Sequence, residues 1–221
     1  MSVSPPLAQL TALVIDGASG PGRIVSSRLS AAGASVAIVT VADGGSAAYL
    51  SKELSGLGLT ALPYQVDLAD RGSMEQLLAD VTHDLGPLDL LVNLLPESAA
   101  AAGPTTAAGA VSAGEAAGET GQGGEERAQL RMALLDVLAT ACRGGRLIQL
   151  AGPAAPPLEA LAQVRIDTVP LPYPLPNGWA DPQLPASAHH AVANAVLLLL
   201  GIPAVEPDAE VDGICQDGLW G

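Results

Sequence analysis

The chain has no phenylalanine, and its five aromatic side chains are two tryptophans and three tyrosines among 221 residues. Its core must therefore be built from Ala, Val, Leu and Ile, a composition that suits helices packed on parallel strands. Cations are scarce too: nine Lys and Arg stand against 23 Asp and Glu, a formal charge of −14. That balance excludes docking on nucleic acid or on an anionic membrane, since both need clustered Lys and Arg. Only one lysine is present, Lys52. Cys142 and Cys215 are far apart and lack CxxC spacing, so they read as two reduced thiols rather than a metal site or a disulfide. Long apolar runs are missing as well. The stretch around Ala195 to Leu200 is too short to span a bilayer. The opening "MSVSPPLAQL" has no cationic segment leading into an apolar one, so no secretory signal is expected. These absences predict a soluble, cytoplasmic protein without a metal. Its length suits one domain spanning 1–221, and its Ala, Gly and Pro content suits a GC-rich, actinobacterial type of genome.

What is present is a rhythm. "TALVIDG" reads as a strand, "GRIVSSRLSAAG" as a helix and "SVAIVTV" as a second strand. "AAYLSKELSGLG", "TALPYQVDL", "RGSMEQLLADVTHDLG" and "LDLLVNLLP" continue as helix, strand, helix and strand. Gly33, Gly58 and Gly86 stand just past the three helices, where a left-handed cap is favoured. Strands alternating with helices at this spacing predict a doubly wound parallel sheet, an α/β fold of three layers. Residues 98–126 break the rhythm with Ala, Gly, Thr and Glu, too little apolar surface to offset ordering entropy, so a flexible insertion is expected there. The pattern resumes with the helix "RAQLRMALLDVLATACRGG" and the strands "RLIQLAG" and "QVRIDTVPL". A proline-rich loop, the helix "AHHAVANAVLLLLG" and a short last strand in "EVDGICQDGLWG" complete it.

The order of these elements and four local signatures resemble the short-chain dehydrogenase/reductase family over nearly the whole chain. "VIDGASGPGR" stands where that family has its TGxxxGxG turn, and "QVDLAD" where it contacts adenine. "LDLLVNLLP" is similar to the strand ending in NNAG, keeping Asn93 alone, and "GGRLIQLAG" and "ANAVLLLLG…VDGICQDG" resemble the fifth strand and the closing helix and strand. The resemblance implies a Rossmann-like domain and a nicotinamide dinucleotide, NAD or NADP, held by Gly17, Ser19, Gly20, Gly22, Arg23, Thr40, Asp67, Leu68 and Asn93.

Glycines between a first strand and a first helix let backbone approach a pyrophosphate resting on the helix N-terminus. Here the spacing is GxxGxG, one residue short of the family pattern, and Asp16 replaces the usual Thr. A carboxylate there repels phosphate unless it turns away to bind backbone groups, and a turn that serves packing alone is an equal reading. After the second strand, where an acidic or basic side chain sets the choice between NAD and NADP, stand Thr40, Val41, Ala42 and Asp43, which encode neither. Arg23 is placed either to meet a phosphate or, more commonly, to be solvated in the first helical turn.

The resemblance also implies a catalytic Ser after the fifth strand and a Tyr and Lys four residues apart on the next helix, side by side after one turn. From Leu150 to Val164 there is no Ser, Tyr or Lys. Tyr49, Tyr64 and Tyr173 are followed at the fourth position by Glu53, Leu68 and Asn177, so no Tyr-x-x-x-Lys exists anywhere. The carboxamide of the family's fourth helix has no counterpart beyond Gln122, in the low-complexity segment.

Three functions remain open. The first is a catalytically degenerate member, a structural or regulatory subunit joined to an intact relative, or to itself, through residues 188–221. The second is an atypical enzyme, such as a cyclase or isomerase, using Asn93, Tyr173, Asp181 or His189. The third is a module that senses a dinucleotide without turning it over. His189 and His190 point about 100° apart on a helix and cannot chelate one metal together; capping near Ser187 or exposure to solvent is their expected role. Tyr173, Trp179 and Asp181 fall in a stiff loop with Pro170, Pro172, Pro174, Pro176 and Pro182, a candidate recognition surface.

Overall fold

The computed structural model describes residues 6–41, 44–67, 70–95, 145–151, 165–170, 184 and 186–204. Strand β1 (Thr11–Ile15) is buried along its whole length, and its run of Ala, Leu, Val and Ile suits a strand covered on both faces. Strands β2 (Ser35–Thr40), β3 (Ala61–Gln65), β4 (Leu90–Asn93), β5 (Arg146–Ala151) and β6 (Arg165–Pro170) join it in one parallel sheet. The order is β3-β2-β1-β4-β5-β6, which reverses direction between β1 and β4. The doubly wound α/β expectation is met.

Alternate residues of each strand feed two cores. Val14, Ile38, Val92 and Ile148 pack with α1 (Gly20–Ala31), α2 (Gly44–Gly56) and α4 (Ala186–Leu199). Leu13, Ala37, Leu91 and Leu147 pack with α3 (Arg71–Leu85) on the opposite face. Helices on both faces make the expected three layers.

Gly33, Gly58 and Gly86 have φ of 95°, 77° and 96° and end α1, α2 and α3. Gly86, with ψ −173°, is extended rather than left-handed helical. Helix α3 begins on Asp70, whose carboxylate accepts the N–H of Gly72 at 3.0 Å and of Ser73 at 3.1 Å. Asp70→Ala strips both bonds from the helix start and is expected to cost about 1 kcal/mol; an unchanged urea midpoint would rule out that capping role.

Several boundaries differ from the sequence reading. Helix α2 starts at Gly44, three residues before the first strong helix former, Ala47. A Cβ on Gly44 would lie 3.1 Å from Gln65 Oε1, so glycine lets the helix start close to β3. Strand β4 stops at Asn93 because the Asn93 Oδ1 accepts the Leu95 N–H at 3.3 Å and turns the chain. Ser187 lies inside α4 rather than ahead of it, so it is not the cap expected near His189 and His190, both of which are partly buried. Residues 98–126, the helix expected over 127–145, the bridge after Ala151 and the last strand lie outside the described residues.

Candidate functional site: the crevice at the switch point

Where a parallel sheet reverses its strand order, the carboxyl ends of the two central strands diverge and leave a crevice. Here that crevice opens above Ile15 and Asn93, the last residues of β1 and β4, which are register partners. The β1–α1 turn forms one wall. Its floor is closed by backbone: Gly17 N–H donates to the Val39 carbonyl at 3.2 Å, and Leu94 N–H donates to the Ile15 carbonyl at 3.2 Å.

The turn is compact because two of its glycines admit no side chain. A Cβ on Gly17 would stand 2.8 Å from the Val14 carbonyl oxygen, and one on Gly22 only 1.9 Å from the Asp16 carbonyl oxygen. Ser26 Oγ reaches back from α1 to donate to the Gly17 carbonyl at 2.8 Å. Gly17 and Gly22 thus hold strand against helix, while Gly20 supplies a φ of 45°.

Asp16 sits at φ 59°, a left-handed conformation that Asp and Asn tolerate better than other non-glycine residues. Its carboxyl does not bind backbone groups; Oδ1 accepts the Ser19 hydroxyl at 2.5 Å. Burial pushes the Asp16 carboxyl above the usual carboxylate range, and the Ser19 hydrogen bond opposes that rise. Arg23 is neither solvated nor aimed at the crevice, because its Nη2 pairs with Glu53 of α2 at 2.7 Å, both side chains being three-quarters buried. Sequence reading misses this pair, since residues 30 apart on two helices share no local spacing.

The remaining candidates spread along the carboxyl edge. Thr40 is buried at the end of β2, its hydroxyl 3.5 Å from the Tyr64 carbonyl. Asp67 is exposed just after β3, its N–H donating to Ser73 Oγ at 3.1 Å. Asn93 is fully buried, and its register partner on β5 is Gln149. The Asn93 Nδ2 and Gln149 Oε1 are both buried without a hydrogen-bond partner, a donor and an acceptor on neighbouring strands. Gln149 in turn pairs in register with the exposed Thr168, so three polar residues form one row across β4, β5 and β6 on the sheet face that carries α3. The row escaped the sequence reading; a polar residue at the same point of three successive strand endings was the available signal. His189, on α4, is partly buried. Leu68, Tyr173 and Asp181 lie outside the described residues. Among the described residues no cluster of three metal-binding side chains occurs, and no helix is long and apolar enough to cross a membrane.

Residues 10–103 match the family model described as short chain dehydrogenase. Over 84 residues, 38% of this chain, the sequence is 36% identical to a curated short chain dehydrogenase of Pseudocercospora fijiensis (strain CIRAD86). Over these residues the chain is similar to the short-chain dehydrogenase/reductase family. A dehydrogenase/reductase from Sinorhizobium meliloti 1021 superposes with a TM-score of 0.54 at 22% identity over 89% of this chain and 66% of that one, a likeness of fold. A blue fluorescent protein from a metagenomic library, solved in complex with NADPH, gives a TM-score of 0.50 at 28% identity over 67% of this chain and 57% of that one. The match to the curated relative spans 27% of that protein's length.

The resemblance would place a nicotinamide dinucleotide over the β1–α1 turn. The turn allows a test of fit. Its backbone is of the required kind, a glycine turn between a first strand and a first helix. The groups on it are not. The Ser19 hydroxyl is taken by Asp16 and Arg23 by Glu53; Pro21 lacks an N–H, and the N–H of Gly22 donates to the Ser19 carbonyl at 2.8 Å. An acidic side chain stands among them. As it stands, the turn does not fit a diphosphate.

Proposed function

We propose that this chain is a short-chain dehydrogenase/reductase relative without the family's reductase chemistry, acting as a structural or regulatory subunit beside an intact relative. One observation carries the reading. The sequence contains a single lysine, and Lys52 lies on the exposed side of α2, a helix packed on β2 and β3. In the sheet order, β2 is separated from β4 by β1, so this ammonium stands away from the β4 and β5 ends. Tyr64 is no nearer to service: it lies on the edge strand β3, and its hydroxyl donates to Asp84 of α3 at 2.9 Å. A Tyr–Lys proton relay at the β4 and β5 ends therefore has no lysine to draw on in this chain.

The proposed contact surface is α4 and the residues after it. The inner side of α4, with Val192, Ala193, Val196 and Leu197, is buried in the protein's own core. Its outer side carries Ser187, Ala191 and Leu198, and Leu198 is 62% exposed. Native mass spectrometry of the assembly, gently purified from its source, is expected to find this chain joined to a second one that carries Tyr-x-x-x-Lys. A bare monomer, or a homo-oligomer that oxidises or reduces a substrate with a nicotinamide cofactor, would overturn the proposal.

The alternative of an atypical enzyme draws support from the buried Asn93 and Gln149 amides, which present an unpaired donor and an unpaired acceptor at the end of the crevice. Loss of a demonstrated turnover in Asn93→Ala and Gln149→Ala, with the fold intact, is the result that would favour it over the subunit reading.

A further inference from the structure

We infer that Asp16 is the residue that denies the β1–α1 turn to phosphate, its carboxylate setting a negative charge beside the start of α1, where an anion would otherwise be drawn. A helix N-terminus carries partial positive charge and free N–H groups, and it draws an anion wherever glycines let one approach. In this turn the nearby acidic group is internal and tied to the helix cap residue through Ser19, its hydroxyl 2.5 Å from Asp16 Oδ1.

The backbone by itself does not call for that charge. At φ 59° the position favours Asp, Asn or Gly over other residues. Asn would occupy the same volume and could still accept the Ser19 hydroxyl. The turn's shape therefore accounts for an Asx residue or a glycine, and the negative charge is an additional property. Arg23, the only cation of the turn and first helical turn, is neutralised by Glu53, so nothing there offsets Asp16. The glycines are kept while a negative charge is added. Asp16 is thus a specificity determinant that acts against phosphate-bearing ligands, nicotinamide dinucleotides included.

The inference concerns the cleft alone and is independent of whether the chain is a partner subunit, because assembly is read by mass and ligand binding by heat. The test is titration calorimetry on the full chain with inorganic pyrophosphate, NADH and NADPH in turn, comparing wild type, Asp16→Asn and Ser19→Ala. Asp16→Asn is expected to bind all three about tenfold or more tightly than wild type, the scale of relieving one like-charge contact at about 4 Å under partial solvent screening. Ser19→Ala keeps the charge and should gain nothing. Asp16→Gly, which the positive φ also admits, gives the same readout should the Asn variant unsettle the turn. Wild type binding as tightly as Asp16→Asn would overturn the inference. So would folded Asp16→Asn and Asp16→Gly that remain as silent as wild type, or an equal gain in Ser19→Ala.

Discussion

Gly22→Ala is expected to lower the melting temperature by about 6–12 °C, corresponding to about 3 kcal/mol in a chain of this size. The new methyl carbon would stand 1.9 Å from the Asp16 carbonyl oxygen and 2.9 Å from Gly17 Cα. Both neighbours are backbone, so no side chain can rotate aside, and the strain must move α1 off β1. Two further ties would be disturbed with it: the hydrogen bond from Ser26 to the Gly17 carbonyl and the buried packing of Ile24, Val25 and Leu29. A control of opposite sign is at hand. Gly56 closes α2 with nothing within 4 Å of an added Cβ and without a positive φ, so Gly56→Ala should be neutral or stabilise by up to about 1 kcal/mol. Thermal unfolding of the pair settles the matter, and a Gly22→Ala protein that melts within a degree of wild type would show that the turn yields freely.

The second large effect is expected at Arg146. Its Nε donates to Asp167 of β6, and its Nη1 donates to the Leu199 carbonyl at the end of α4 at 2.5 Å. One guanidinium therefore joins β5, β6 and α4, with only 21% of its side chain exposed. Arg146→Met keeps the stem but leaves a mostly buried carboxylate and a helix-end carbonyl without their donor, at an expected cost of about 2–3 kcal/mol. Arg165, 3.3 Å from the same Asp167 oxygen and 71% exposed, compensates little.

The pH dependence follows in sign. The hydrogen bond from Arg146 is the largest influence holding the Asp167 carboxyl below the usual carboxylate range; burial opposes it, and the charges of Arg146 and Arg165 assist. A depressed folded-state pKa means that the stabilisation is complete above the unfolded value of about 3.9. It is then lost as pH falls through the lower folded value. Urea unfolding of wild type at descending pH should show this acid limb, and Arg146→Met should flatten it. Parallel curves for the two proteins would remove Asp167 from the account of acid stability.

The layered fold was legible in the sequence because short aliphatic runs such as "TALVI" and "SVAIVT", alternating with amphipathic segments, read as strands buried on both faces. The helix ends were legible through Gly33, Gly58 and Gly86, whose positive φ is a local property of glycine. What stayed hidden was long-range. Nothing near Arg146 in sequence announces Leu199, 53 residues away, and nothing near Arg23 announces Glu53. The crevice was half legible. Asp16 was recognisable as a misfit for phosphate, with backbone groups as one alternative partner, and its partner is Ser19, three residues on. Gln149 passed unremarked, since its bearing on Asn93 exists only through the register of β4 and β5.

The packing of α1 against α4 also governs how the chain can be made. Residues 20–31 and 186–199 share one core, with Val25 and Leu29 on one side and Val192, Ala193 and Val196 on the other. During synthesis α1 must wait for α4 before its apolar side is covered. The early strands β1, β2 and β3 can pair on the ribosome while one face of their sheet is still missing a cover. Contacts so distant in sequence slow folding, and the uncovered aliphatic face is a natural substrate for a chaperone in the interval.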